Sequence, residues 1–206
     1  MKNIFFIGIL IFLISSCSSK NVEVQIDNPS DSAITLSIDT GKPITIGPNT
    51  LFSFGQLATG NHQIIINGDS LSFLIHARLD SVILNPLQEQ YVKVGEMYGD
   101  EISIKFASKT QVKNEIMLDS ILYKGFYTLV EDICIDRKSF DYDLVTPFPD
   151  QIQVMVRKGS GLSGVTYKTK LFRKGEFMTT YIPEFLKGMF EEHDHEEEEV
   201  VTAEEN

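Results

Sequence analysis

Gly60-Asn61-His62-Gln63-Ile64-Ile65-Ile66-Asn67-Gly68-Asp69-Ser70-Leu71-Ser72-Phe73-Leu74-Ile75 is the stretch that decides the fold. Two runs rich in β-branched and large apolar residues flank Asn67-Gly68-Asp69, a loop suited to a tight hairpin, so the segment reads as two antiparallel strands. Upstream the pattern repeats. Val22-Glu23-Val24-Gln25-Ile26-Asp27 and Ala33-Ile34-Thr35-Leu36-Ser37-Ile38 alternate apolar and polar, with Asn28-Pro29-Ser30-Asp31 as the turn between them. Asp39-Thr40-Gly41-Lys42-Pro43 and Gly47-Pro48-Asn49 break the chain around Ile44-Thr45-Ile46, and Thr50-Leu51-Phe52-Ser53-Phe54 follows. Short strands at steady spacing predict a mainly β chain, an antiparallel sandwich or barrel-like sheets with one or two short helices.

Downstream, Ser81-Val82-Ile83-Leu84, Gln90-Tyr91-Val92-Lys93-Val94 and Glu101-Ile102-Ser103-Ile104-Lys105-Phe106 read as strands, with breaks at Asn85-Pro86 and Gly99-Asp100. Val112, Ile116, Met117, Ser120 and Ile121 fall near one helical face, which predicts a helix over 109–123; Ile116 and Leu118 also fit a strand. Phe126 to Ile135 is β-prone. Thr146-Pro147-Phe148-Pro149-Asp150 reads as a rigid loop, and Ile152-Gln153-Val154-Met155-Val156, Val165 to Phe172 and Glu176 to Tyr181 as strands. Pro183 then opens a helix over 183–190, with Ile182, Phe185, Leu186, Met189 and Phe190 at amphipathic spacing. The organisation expected is a β-module over 21–85, a β-rich second part over 86–190 and an acidic tail over 191–206.

The amino end points to an address. Lys2 precedes the apolar run Ile4 to Ile14, which is shorter than the roughly 20 residues a membrane-spanning helix needs, so residues 1–16 read as a cleavable export signal. Ile14-Ser15-Ser16-Cys17 resembles the lipobox of bacterial lipoproteins, with Ile14 where Leu is usual. The resemblance implies a diacylglyceryl thioether on Cys17, an acylated tether over 17–20 and a membrane contact made by lipid. Two or three acyl chains hold firmly where one holds marginally. Ser18 in place of Asp implies the outer membrane, on its periplasmic or its surface face. Leu36-Ser37-Ile38-Asp39-Thr40-Gly41-Lys42-Pro43, with Pro48-Asn49-Thr50 and Leu57 to Ile66, resembles small β-modules of the PEGA type over residues 21–70. Thr40 interrupts the Asp-Gly expected there. That resemblance implies a structural or adhesive role.

The net charge of −11 is local. Residues 191–206 hold nine carboxylates and no Lys or Arg, whereas residues 17–190 keep 20 acids against 17 bases. No basic stripe marks a nucleic-acid partner. The tail reads as a solvated, self-repelling segment; its His193 and His195, flanked by Glu and Asp, are also the chain's candidate ligands for a loosely held divalent metal. Cys17 and Cys134 are the two cysteines, so a lipid on Cys17 excludes a disulfide framework, and Cys134 reads as a buried, inert thiol. His62 reads as a turn-flanking side chain and His76 as a satisfied strand residue. Gly159-Ser160-Gly161-Leu162-Ser163-Gly164 matches a dinucleotide-loop pattern, but the following alternation is a strand and not the helix such a loop requires, so nucleotide binding is not expected. The expectation is a non-enzymatic, lipid-anchored envelope protein with a structural, adhesive or assembly role, needing no cofactor and meeting another envelope protein. Two alternatives stand beside it: an accessory enzyme or sugar-binding protein with a dispersed site near Asp141-Tyr142-Asp143, and a metal-capturing lipoprotein acting through its tail.

Overall fold

The computed structural model describes residues 19–152 and 164–185. The chain divides into two compact units, Met1–Leu87 with Ile133–Arg137, and Gln88–Asp132 with Lys138–Asn206. The chain is mainly β, with antiparallel sheets packed as a sandwich in the first unit. Among the described residues no helix is long and apolar enough to cross a membrane.

Among its described residues the first unit holds eight strands, seven in succession and one that returns later. They are β1 (Asn21–Asn28), β2 (Ile34–Ile38), β3 (Ile44–Ile46), β4 (Thr50–Ala58), β5 (Gly60–Ile66), β6 (Asp69–Ile75), β7 (Ser81–Leu84) and, after an excursion, β12 (Cys134–Asp136). One sheet runs β12-β7-β1-β4 and the other β3-β2-β5-β6. All pairings are antiparallel except β1 with β7. Inward residues of both sheets share one core: Val22, Val24 and Ile26 from β1, Leu36 from β2, Ile64 from β5, Ile75 from β6, and Val82 and Leu84 from β7. Asn67 and Gly68 both take positive φ (53° and 89°), the two-residue turn that matches strand twist. On β4 the register slips between Val24 and Gln25, leaving Phe54 as a bulge beside Gly55, whose φ of +112° suits glycine.

Two polar knots fasten this sandwich. Asn28 is buried, and its amide donates to the carbonyls of Ser32 (2.8 Å), Ile46 (3.2 Å) and Gly47 (2.8 Å), while its oxygen accepts from the Ser30 amide (3.2 Å) and hydroxyl (2.7 Å). One side chain thereby ties the β1–β2 turn to the end of β3. At His62 both ring nitrogens face acceptors: Nδ1 lies 2.8 Å from Asp39 Oδ2 and Nε2 2.8 Å from the Ala58 carbonyl, with the ring stacked on Phe73. Asp39 also accepts from the Gln63 amide at 3.0 Å. Only an imidazolium can donate from both nitrogens. Burial alone lowers the affinity of His62 for a proton, but the bonds to Asp39 and Ala58 outweigh it and raise its pKa above the usual histidine value. Burial likewise works against ionised Asp39, and its bonds from His62 and Gln63 outweigh that and lower its pKa.

The second unit is built on β8 (Tyr91–Tyr98), the centre of a three-stranded antiparallel sheet with β11 (Tyr127–Val130) and β13 (Thr166–Arg173) at its sides. A separate hairpin joins β9 (Asn114–Leu118) to β10 (Ile121–Gly125), and α1 spans Glu101–Thr110. After β13 a helical segment runs from Lys174–Glu176 into a π-helical turn, Phe177–Tyr181, and on to Phe185. Its core gathers Val92, Val94, Ile116, Leu118, Tyr127, Phe172 and the fully buried Phe177. Phe177 meets Tyr127 edge-on at 5.1 Å and stacks on Tyr181 at 5.6 Å.

Here the structure corrects several sequence expectations. Residues 101–106 are helix, not strand, because Asp100 caps the turn: its carboxylate accepts from the Ser103 amide (2.9 Å) and hydroxyl (2.7 Å). The helix expected over 109–123 is the end of α1 followed by the β9–β10 hairpin. Ile116 and Leu118 turn inward together, and Asp119 and Ser120 close the loop at positive φ without a glycine to announce it. Glu176 to Tyr181 is helical because burying Phe177 and Tyr181 overrides the strand preference of Phe-Met-Thr-Thr-Tyr. The helix placed at 183–190 therefore starts earlier, and residues 186–190 lie outside the described ones, as does most of the strand placed at 152–156. Residues 86–190 are not all one part, since β12 completes the first unit.

Replacing Asn28 by Ala strands several buried backbone groups, and urea unfolding is expected to show a loss of about 2–3 kcal/mol for the first unit. For His62 the raised folded-state pKa gives stability that is complete below the unfolded value of about 6.5 and lost as pH rises through the folded one; the lowered Asp39 value gives stability lost as pH falls through it. Unfolding between pH 6 and 8 is expected to show the wild-type advantage over His62→Phe shrinking with rising pH, and an advantage independent of pH would contradict the doubly donating ring.

Candidate functional site

Strand alternation puts Val92, Val94, Glu96 and Tyr98 of β8 on one face. The first two fill the core of the second unit, so the next inward position is one where an apolar residue is expected and a carboxyl stands instead. The topology opens a space there. β13 pairs with β8 along Tyr91 to Tyr98, whereas β11 pairs only from Tyr91 to Val94 before the chain bends through Phe126 to enter β10. Beyond Gly95 no strand among the described residues pairs with that side of β8, and a cavity of about 420 Å³ lies there. Glu96, Met97, Ile104, Phe126, Tyr127, Tyr181 and Phe185 line it, with Lys113 and Lys124 also in its wall.

Glycine makes the floor. A Cβ on Gly95 would run into the phenol ring of Tyr167, and one on Gly125 would lie 2.6 Å from the Tyr127 ring. Both aromatic rings thus cover a glycine, and any side chain there would displace them.

Glu96 accepts hydrogen bonds from the hydroxyls of Tyr98, at 3.0 Å, and Tyr181. Burial raises its pKa above the ordinary glutamate value, and the two phenol bonds only partly offset that. Around it the phenols are held protonated. Burial first, then the Glu96 charge, pushes Tyr98, Tyr127 and Tyr181 above the ordinary tyrosine range. The result is a half-buried carboxyl ringed by hydrogen-bond donors and aromatic surface inside a small apolar cavity, an arrangement characteristic of ligand sites.

The residues singled out from sequence sit elsewhere. Asp141, Tyr142 and Asp143 do not line the Glu96 cavity. Asp141 pairs with Lys168 (2.9 Å) and accepts from the Thr169 amide (2.9 Å) and hydroxyl (3.1 Å), and Asp143 accepts from the amides of Val145 and Thr146. Tyr142 lies edge-on to Phe148. This loop is latched from β13 by Lys170, which is buried and donates to the carbonyls of Asp143, Leu144 and Thr146. A broader hollow of about 850 Å³ in the first unit is lined by Asp39, His62 and Phe73 among others, but it lies open to solvent and its histidine and carboxylate are engaged with each other. His76 is exposed just past β6, not within a strand, and Cys134 is half-buried on β12 against the first unit's core. Cys17, His193 and His195 and the glycines at 159 and 161 lie outside the described residues. Among the described residues no group of three or more His, Cys, Asp or Glu is placed to hold a metal ion.

The chain matches no family model, no curated protein and no solved structure.

Sequence reasoning missed Glu96, although the signal was present: Val92-x-Val94-x-Glu96-x-Tyr98 continues an inward alternation with a charged residue. An acid whose folded-state pKa is raised costs stability once pH exceeds that value and costs nothing below the unfolded one, about 4.3. Glu96→Gln keeps an acceptor for the tyrosines and removes the buried charge. It is expected to be more stable than wild type at pH 7 and equal to it near pH 4 in thermal unfolding; a less stable Gln variant at pH 7 would make the carboxylate a structural element instead.

Proposed function

We propose that the chain is a lipid-anchored protein of the bacterial cell envelope, held at the outer membrane through Cys17, whose body binds without catalysing a reaction. The observation that carries the binding role is the Glu96 carboxyl at a core-facing position of β8, open to a small aromatic cavity. A charge retained where packing favours an apolar residue is the mark of a site kept for use at the expense of stability. The protonated tyrosines around it suit holding a ligand, since at neutral pH they donate hydrogen bonds and present ring surface.

The anchor rests on Ile14-Ser15-Ser16-Cys17 and is supported by how soon the fold begins. Residues 18–20 alone separate Cys17 from β1, at most about 14 Å of extended chain to Asn21. Lys20 is itself fastened, paired with Asp80, and its carbonyl accepts from the Thr59 amide at 2.8 Å. A lipid on Cys17 therefore holds the first unit close against the membrane surface. The PEGA-like turns of residues 21–70 fit such a display role. An envelope protein partner is supported by Ile102 and Phe106 of α1 and Met117, Ile121 and Leu122 of the β9–β10 hairpin, all more than half exposed.

Metabolic labelling with an alkyne analogue of palmitate is expected to mark the wild-type chain and leave Cys17→Ala unmarked. Unlabelled wild type, or label retained by the variant, would remove the anchor.

A further inference from the structure

We infer that the Glu96 cavity takes a small organic ammonium, its positive nitrogen set against the Glu96 carboxylate and its alkyl groups against the rings of Tyr127, Tyr181 and Phe185. This rests on the reading of that cavity as a ligand site and names what enters it.

Lys113 and Lys124 also line the cavity, so it is the carboxyl between the phenols that sets the sign of the group it meets. Glu96 is the acidic group in the lining, and its two phenol partners, Tyr98 and Tyr181, fill about half of the roughly four acceptor positions a carboxylate offers. The remaining positions are available to a donor or a cation, and an anion placed there would meet like charge in a poorly solvated space. A bare divalent ion fits less well, since it requires several oxygen ligands and the lining supplies one carboxylate among aromatic residues. An uncharged apolar ligand would gain nothing from the carboxyl. An alkylated ammonium uses both halves of the wall, because its charge is attracted to the carboxylate and to aromatic rings.

The rim adds a preference. Lys124 is already paired with Glu115 at 2.9 Å, whereas Lys113, exposed and also in the lining, offers a charge of the opposite sign to Glu96. A ligand that carries an anionic group behind its ammonium meets Glu96 with one end and Lys113 with the other. The size fits, as about 420 Å³ lies within the range of small-ligand sites, about 300–1,000 Å³. Binding is also coupled to protonation: Tyr98 from its own strand, Tyr127 from β11 and Tyr181 from the π-helical turn surround Glu96, Lys113 and Lys124 share the lining, and a bound cation would favour the charged form of the carboxyl.

The test uses the full chain in detergent with methyl-labelled methionine. Met97 lines the cavity and the exposed Met117 on β9 serves as the control. Three probes are titrated: choline, its uncharged carbon analogue 3,3-dimethylbutan-1-ol, and phosphocholine. Choline is expected to shift the Met97 methyl saturably while Met117 stays still, with the alcohol at least tenfold weaker and phosphocholine tighter than choline. Choline affinity is expected to fall at least tenfold in Glu96→Gln, and the phosphocholine advantage to vanish in Lys113→Gln. An alcohol that binds as well as choline, or choline binding untouched by Glu96→Gln, would overturn the ammonium while leaving the cavity a ligand site. Silence from all three probes would overturn it too; the ligand-site reading itself falls separately, on a Glu96→Gln chain less stable than wild type at neutral pH.

Discussion

A strand offers its side chains to two faces in strict turn, and that constraint governs both units of this chain. In β1 it sends Val22, Val24 and Ile26 into the first core without exception. In β8 it sends Val92 and Val94 into the second, and then it sends Glu96 after them. The strand cannot release the carboxyl by slipping one place, because the same slip would turn both valines out of the core they fill. Glu96 is thus held inward by the packing of its neighbours, and Tyr98 and Tyr181 are what make the position tolerable. Fold and candidate site are two results of one periodicity.

How much of this the sequence disclosed follows the strength of local signals. Asn67-Gly68 announced its hairpin because few other residues accept two positive φ values in succession, and the strands of the first unit were legible for the same reason: their turns carry Gly, Pro and Asn. The β9–β10 hairpin turns on Asp119-Ser120, which say less, so its residues fit a helical face as well as a strand. At Glu101 to Phe106 alternation itself misled. Ile102, Ile104 and Phe106 look like one face of a strand, yet the Asp100 cap makes a helix, and the cost is visible in Ile102 and Phe106 standing in solvent. The site was missed because a single charged residue in an alternating run is silent until the topology shows which face is inside.

The aromatic cluster supplies what alternation cannot. Tyr181 contacts Phe177, Phe172, Tyr127 and Phe185, and it also reaches Glu96, so one side chain belongs to the core and to the cavity wall together. Its placement comes from the π-helical turn. Two residues beyond that turn stands Pro183, whose ring would clash with the carbonyl four residues earlier, at Thr179, in a regular α-helix. Widening the helix relieves the clash, and π-helical turns are often kept at functional positions for the side chains they redirect.

The return of β12 sets an order on assembly. Cys134–Asp136 lies beside β7, whose other neighbour is β1, and until those three residues arrive β7 is an open sheet edge with its ladder groups unpaired. They lie some 50 residues further along the chain than β7, on the far side of β8 to β11. A polypeptide threading out amino end first therefore presents a sandwich that is one strand short while half of its second unit is still being made. Severing the chain after Leu87 would yield the same unfinished edge permanently, a surface disposed to recruit a strand from another molecule.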